Sequence, residues 1–63
     1  MTQKELSYLE DAIGHEKNII DICKESLNNL EDDNLISFLT QQLEKHKETK
    51  EKLLNILEVK SNG

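Results

Sequence analysis

The sequence of 63 residues contains no proline, no arginine and no tryptophan, and only one cysteine, one phenylalanine and one tyrosine. The single cysteine, Cys23, excludes an internal disulfide, and a reduced thiol fits a cytoplasmic protein. Glycine occurs only at positions 14 and 63, which excludes a glycine-rich loop that cradles phosphates. The few aromatic residues and the net charge of −5 argue against nucleic-acid binding, because an acidic surface repels the phosphate backbone.

Long hydrophobic runs are also missing. No apolar run approaches the ~20 residues that are needed to cross a bilayer, so no membrane contact is expected. The first five residues lack the apolar core of a secretion signal, which predicts a cytoplasmic location. Only 35% of the residues are hydrophobic, and a chain this short buries too little surface to be stable without help. Because a disulfide is excluded, the help is expected from a second copy or a metal ion.

A heptad stripe predicts a first helix over residues 3–29. Thr2 and Glu5 have the spacing of a capping box, in which each side chain accepts a hydrogen bond from the backbone amide of the other. The apolar positions then recur at alternating spacings of three and four. The members of this stripe are Leu6, Leu9, Ile13, Glu16, Ile20, Cys23, Leu27 and Leu30. One member, Glu16, is a carboxylate.

The only cluster of turn-forming residues predicts a turn over residues 30–33. Asp32 or Asp33 is expected to cap a second helix over residues 34–58, followed by a frayed tail over residues 59–63. The stripe of the second helix is Leu35, Leu39, Gln42, His46, Thr49, Leu53 and Ile56, flanked by Ile36, Leu43 and Leu57. A turn this short makes the two helices antiparallel neighbours.

The fold class that follows is all-α, with residues 1–63 forming a single antiparallel two-helix hairpin. Two helices cover only part of each other's apolar stripes, so the hairpin is expected to dimerise into a four-helix bundle. The charge distribution agrees with this expectation. Residues 1–33 carry nine acids and three lysines, whereas residues 34–63 carry four acids and five lysines. The first helix can therefore attract the second helix of its own chain or of a partner.

Antiparallel pairing about the turn predicts a polar layer in the middle of the bundle. It places Ile20 near His46 and Glu16 near Thr49, with Cys23 near Gln42 and Leu27 near Leu39. The layer consists of Glu16, Gln42, His46 and Thr49. A buried carboxylate is costly unless it is paired or neutralised, so Glu16 needs a partner.

Two explanations of this layer remain open. In the first, Glu16 and His46 ligate iron, manganese or zinc, and two copies of the chain supply two residues of each kind to one ion. In the second there is no cofactor, and Glu16 bonds to His46, Thr49 or Gln42 to fix the register of the helices.

The remaining chemically active side chains have simpler explanations. His15 lies at the edge of the stripe and is expected at the surface or in an interface. Cys23 occupies a core position and is expected to be a small buried hydrophobe. Gly14 either lets a neighbouring helix approach or has no special role. The four lysines at positions 45, 47, 50 and 52 are expected to form a solvated face.

The segment from Lys4 to Lys17, together with Cys23, Leu30–Leu35 and His46, resembles the coat F-type family of spore coat proteins. These are small ferritin-like helical proteins of endospore-forming bacteria. The most specific part is Leu9-Glu10-Asp11-Ala12 followed by His15-Glu16-Lys17, and the resemblance spans the chain from about Thr2 to Leu57. It implies a ferritin-like four-helix bundle with a structural or interaction role. It also implies a location in the cytoplasm or the spore coat, other spore coat proteins as partners, and no catalysis.

Two further resemblances keep alternative functions open. The wider ferritin-like class is similar in placing an inward Glu on one helix and a Glu-x-x-His pair on the next, and Glu16 and His46 match two of these positions. Leu43 stands where the pair has its carboxylate, which implies a metal-binding protein with a reduced Glu/His site and without di-iron chemistry. The segment from Thr40 to Glu44 is similar to the Ser-Gln-Glu-Leu-Asp signature of small two-helix aspartyl-phosphate phosphatases that regulate sporulation.

Overall fold

The computed structural model describes residues 1–62, with side chains up to Lys60, as two helices that pack against each other. Helix α1 spans Gln3–Leu27 and helix α2 spans Asp33–Asn62. The described residues contain no strand, and neither helix is long and apolar enough to cross a membrane. The predicted all-helical antiparallel hairpin is therefore confirmed.

The start of α1 is fixed by the capping box that the sequence predicts. The backbone N–H of Thr2 donates to the Glu5 carboxylate at 2.9 Å, and the N–H of Glu5 donates to the Thr2 hydroxyl at 3.1 Å. Two amides that the first helical turn leaves without partners are thereby satisfied. The hydrogen bond from the Thr2 backbone, followed by that involving the Thr2 side chain, lowers the pKa of the Glu5 carboxyl from its ordinary value of 4.5.

This capping box predicts a pH-dependent contribution to stability. Because the pKa of Glu5 is lower in the folded chain, the unfolded chain binds the proton more tightly. The contribution is complete above the unfolded pKa and is lost as the pH falls through the folded pKa, below 4.5. Replacing Glu5 with Gln is therefore expected to destabilise the protein at neutral pH. The difference from the wild type should shrink in acid, as measured by thermal unfolding followed by circular dichroism.

Glu10→Gln is the matched control, since Glu10 is an exposed carboxylate about one and a half turns further along α1. Its difference from the wild type should change less between neutral and acid pH than that of Glu5→Gln. Equal pH dependence of the two variants would show that the capping hydrogen bonds do not contribute.

Helix α1 ends at Leu27, two residues before the predicted end. The backbone N–H of Asn28 donates to the carbonyls of Lys24 and Glu25, and that of Asn29 donates to Ser26 at 3.0 Å. The Asn29 side chain also donates to the Glu25 carbonyl at 2.9 Å. Asparagine favours helix ends and turns because its side chain competes for local backbone groups. The two asparagines that were predicted to extend the helix therefore terminate it.

Helix α2 begins one residue earlier and continues further than predicted. The Asp32 carboxylate accepts the N–H of Leu35 at 2.9 Å, so Asp32 is the N-cap and Asp33 is the first helical residue. The predicted end at residue 58 is wrong, since the helix continues to Asn62, and the fraying of residues 59–63 stays a prediction. Gly63 lies outside the described residues. The connection between the helices thus comprises residues 28–32.

The hairpin is long and thin. Its Cα atoms extend over 46 × 15 × 12 Å with a radius of gyration of 14.5 Å, whereas a compact domain of this length has a radius of about 11 Å. Among the residues whose side chains are described, only Ile20, Cys23 and Leu43 are buried, with Ile19, Leu27 and Leu39 packed around them. The small core shows that two helices alone enclose little of the apolar surface of the chain.

Helix α2 contacts α1 through a different stripe from the predicted one. The buried and half-buried residues that recur along it are Ile36, Leu39, Leu43, His46, Lys50, Leu53 and Leu57. Leu43, predicted as a flank, is part of the core, whereas Leu35, Thr49 and Ile56 are exposed. This rotation leaves Gln42 half-buried, exposes the Thr49 hydroxyl and brings Leu43 and the aliphatic stem of Lys50 into the contact, which reduces the cost of burying polar groups.

Candidate functional site

A carboxylate and an imidazole from the two helices meet in the middle of the hairpin. The Nδ1 atom of His46 lies 2.5 Å from Oε2 of Glu16, although the two residues are 30 positions apart in the sequence. Their side chains are 28% and 16% exposed. The predicted contact between Glu16 and His46 is confirmed, because the antiparallel packing places the middle of one helix opposite the middle of the other.

The hydrogen bond fixes how the imidazole is oriented. An ionised carboxylate accepts hydrogen bonds and has none to donate, so Nδ1 is the donor in this contact when Glu16 is ionised. The second ring nitrogen, Nε2, is then left to interact with something other than Glu16. Among the described buried side chains, no nitrogen or oxygen lacks a hydrogen-bond partner. The pair is therefore a complete structural contact within one chain that still has one ring nitrogen available.

The other residues predicted for the polar layer are only partly gathered around this pair. Gln42 is half-buried, but Thr49 is exposed and its hydroxyl donates to the Lys45 carbonyl one turn earlier, at 3.1 Å. The prediction that Glu16 lies near Thr49 is wrong, because the helices pair about one turn further along, with Glu16 at His46.

Four single residues also have a clear position. Cys23 is a buried free thiol, as predicted, and His15 is exposed. The space beside Gly14 is open, since an added Cβ would meet nothing within 4 Å. Lys50 is half-buried and not on the predicted solvated face. Its place between Leu43 and Leu57 in a seven-residue spacing was the signal that sequence reasoning missed.

The phosphatase-like segment does not form one cluster of side chains. Gln42 is half-buried, whereas Glu44 is exposed and its Oε1 lies 3.6 Å from Nζ of Lys47. The Thr40 hydroxyl donates to the Ile36 carbonyl of its own helix at 2.7 Å. Thr40 and Glu44 therefore have separate local partners on their own helix.

The most extensive feature is an apolar surface that one hairpin leaves exposed. Eight large hydrophobic side chains are exposed among the described residues. Six of them define what we call the apolar face: Tyr8, Ile22, Leu35, Phe38, Ile56 and Val59. The two others are Met1, which precedes α1, and Leu54.

The six residues share one position relative to the contact between the helices. Five of them directly precede a member of a contact stripe, as Ile22 precedes Cys23 and Phe38 precedes Leu39, and Val59 continues the seven-residue spacing that starts at Phe38. Moving back by one residue along an α-helix corresponds to a rotation of about 100° around the helix axis. Because α1 and α2 run in opposite directions, the same rotation carries both sets to the same side of the hairpin. Both helices thus contribute to one continuous face.

The apolar face is most hydrophobic toward its two ends. Ile22, Leu35 and Phe38 lie near the turn, and Tyr8, Ile56 and Val59 lie toward the open end. Between them the same side carries the polar residues His15, Gln42, Lys45, Thr49 and Lys52. Long lysine stems can cover apolar surface while their ammonium groups stay in water.

The opposite side of the hairpin is charged. Its residues directly follow members of the contact stripes. One step forward along a helix is a rotation of about 100° in the opposite direction, so these residues lie on the side opposite the apolar face. They are Glu10, Lys17, Asp21, Lys24, Glu44, Lys47, Glu51, Leu54 and Glu58. Leu54 is the one large apolar side chain in this set. The hairpin therefore has one apolar face and one charged face.

A double-mutant cycle should measure the coupling between Glu16 and His46. Replacing either residue with alanine leaves the other part-buried without its partner. Each single substitution is therefore expected to lower the free energy of unfolding by more than half of what the contact contributes. We expect a coupling free energy of about 0.5–3 kcal/mol. Urea denaturation of the four proteins, at one fixed protein concentration, gives this value.

The exposed Lys52–Glu48 pair is the matched control. Its nitrogen and oxygen lie 3.2 Å apart, and both side chains are largely exposed. A surface pair of this spacing contributes about 0.3–0.5 kcal/mol. A coupling at Glu16–His46 no larger than that of the control would show that the central contact has no special weight.

Comparisons with protein-family models, with curated proteins and with solved structures find no match to this chain. A function must therefore be argued from the central pair, the apolar face and the resemblances in the sequence.

Proposed function

We propose that the protein is a small structural protein that acts as a homodimer, with two hairpins meeting through their apolar faces to form a four-helix bundle. The observation that carries this proposal is the gathering of six exposed hydrophobic side chains on one side of a hairpin that buries only three residues of its own. Large exposed apolar patches mark interaction surfaces in soluble proteins.

The size of the apolar face suits a stable dimer. The hairpin is 46 Å long, and two helices side by side are about 20 Å wide with their side chains. That side of the hairpin, including the polar residues between its two apolar ends, therefore covers roughly 900 Å², comparable with the ~800 Å² that each partner buries in a stable complex. Covering it with a second copy would roughly double the number of helices that share the core.

The charged face explains why association stops at two hairpins. A twofold dimer uses the same patch on both copies and is closed. After it forms, the outer surfaces carry Glu10, Asp21, Glu44 and other charged residues, which do not favour stacking of a third hairpin. A partner that covers one apolar face with another also leaves no hydrophobic surface behind. A second copy of the chain is thus a better occupant than an unrelated helix.

A role in the spore coat rests on the sequence. The Leu9 to Lys17 segment resembles the coat F-type family, which supports a non-catalytic role among spore coat proteins of an endospore-forming bacterium. A closed bundle with a charged exterior suits a building block that contacts other proteins through its outer surface.

Sedimentation velocity across a range of micromolar concentrations tests the homodimer. We expect a single species with twice the mass of the chain, together with a strongly helical circular dichroism spectrum. A species of single-chain mass that keeps its helicity at the highest concentration would contradict the proposal.

A further inference from the structure

The central Glu16–His46 pair lies where two copies of the hairpin would meet. From its geometry we propose that the two pairs of a dimer together bind one divalent transition-metal ion, with His46 of each copy as a ligand through Nε2. This inference rests on the homodimer proposed above and adds a ligand to it.

The chemistry of the pair is that of an oriented metal ligand. A histidine that ligates a metal commonly donates its other ring N–H to a carboxylate, which fixes the tautomer and raises the basicity of the ligating nitrogen. His46 makes this contact through Nδ1 to Glu16, and its ring is still partly exposed. Nε2 is thus the nitrogen that the contact leaves available to a cation.

The position of the pair on the helices points it toward the second copy. In each helix the contact stripe consists of two columns of residues spaced by seven. Glu16 shares its column with Leu9 and Cys23. This column is rotated by roughly 50° around the helix axis from the column that contains Ile20. A step from a contact residue to the residue before it turns around the helix axis in the same direction. The column that contains Glu16 is therefore turned toward the apolar face. By the same reasoning His46 is rotated from Leu43 toward that face.

The pair also lies near the middle of both helices. Glu16 is close to the centre of Gln3–Leu27, and His46 is close to the centre of Asp33–Asn62. Any twofold that stacks two hairpins face to face along their whole length therefore brings the two pairs into one layer. This holds whether the two turns point to the same end or to opposite ends of the bundle.

A single chain supplies too few ligands for such a site. Within the described part of one chain, no group of three or more histidine, cysteine or acidic side chains is placed to hold a metal ion. Two copies supply two imidazoles as ligands through Nε2, each oriented by its own carboxylate, and solvent molecules would complete a tetrahedral zinc site. The two carboxylates also balance the charge of a divalent cation.

The test uses the untagged full-length chain, freed of metal with a chelator and titrated with Zn²⁺. Native mass spectrometry reports the number of chains and of ions in the same species, and we expect one ion per two chains. Titration with Co²⁺ should give the intense visible absorption of a tetrahedral site. Glu16→Gln keeps a side chain of the same size and is expected to weaken binding by about 10–100-fold.

His15 provides the matched control for the ligand assignment. His46→Gln should abolish binding of the ion while the two-chain species persists, whereas His15→Gln, at an exposed histidine, should retain the ion. Loss of the ion in His15→Gln, or its retention in His46→Gln, would overturn the assignment. A dimer without ion at millimolar Zn²⁺ would overturn the metal site but leave the dimer standing. Single chains, with or without an ion, would overturn the dimer and the shared site together.

Discussion

Replacing Leu43 with alanine is expected to remove a large part of the stability of the protein. Leu43 is 8% exposed and packs with Ile20 and Cys23 in the buried cluster of the described residues. Truncating a buried leucine to alanine costs about 2–5 kcal/mol, because apolar contacts are lost and a cavity remains. A chain of this length has a total stability of only about 3–9 kcal/mol. The urea midpoint, followed by the helical circular dichroism signal, should therefore shift strongly toward zero.

Leu54 on the same helix offers the control for this change. Its side chain is 36% exposed, on the charged face of the hairpin. Leu54→Ala removes the same atoms and alters helix propensity equally, yet a surface substitution is expected to change stability by about 0.5 kcal/mol or less. If the two variants were equally stable, Leu43 would not belong to a core, and the observed packing of α2 would be in error.

Replacing Phe38 with glutamate is expected to separate the proposed dimer. Phe38 is 55% exposed in the hairpin, so the change costs little within one chain. In a twofold dimer it places two carboxylates in the apolar interface. Loss of an aromatic anchor there costs at least about 2 kcal/mol at each site, which corresponds to a dissociation constant about 30-fold higher per site. Sedimentation equilibrium measures this constant.

Ser37→Glu is the control, because Ser37 is adjacent, exposed and outside the apolar face. Both substitutions place the same charge in the second turn of α2, so their effects on the helix itself are similar. The dimer should persist in Ser37→Glu. Equal dissociation constants for the two variants would mean that the apolar face is not the contact between copies.

Local chemistry is the part of the fold that the sequence predicts best. The capping box at Thr2 and Glu5 and the cap at Asp32 each depend on residues within one turn, and both are confirmed. The contact between Glu16 and His46 is also predicted correctly, since both lie in the middle of helices joined by a short turn.

The choice of contact stripe on α2 is the part that sequence reasoning could not settle. Hydrophobic residues occur as adjacent pairs, such as Leu35 with Ile36 and Ile56 with Leu57. Either member of each pair continues a seven-residue spacing, so the periodicity of α2 alone does not select between them. The selection comes from α1, against which Leu43 packs better than Gln42. Leu35 and Ile56, which are not part of the contact stripe, belong to the apolar face. No other part of the described chain covers that face.

The opposition of Glu16 to His46 and of Ile20 to Leu43 restricts how the length of such a chain can vary during evolution. One residue inserted into α1 between the turn and Glu16 would rotate everything beyond it by about 100°, and would turn hydrophobic residues outward along half of the helix. Seven residues inserted into each helix at positions that face each other would preserve every layer of contacts between the two helices. Viable relatives of different length are therefore expected to differ by paired steps of a full heptad or at the two chain ends.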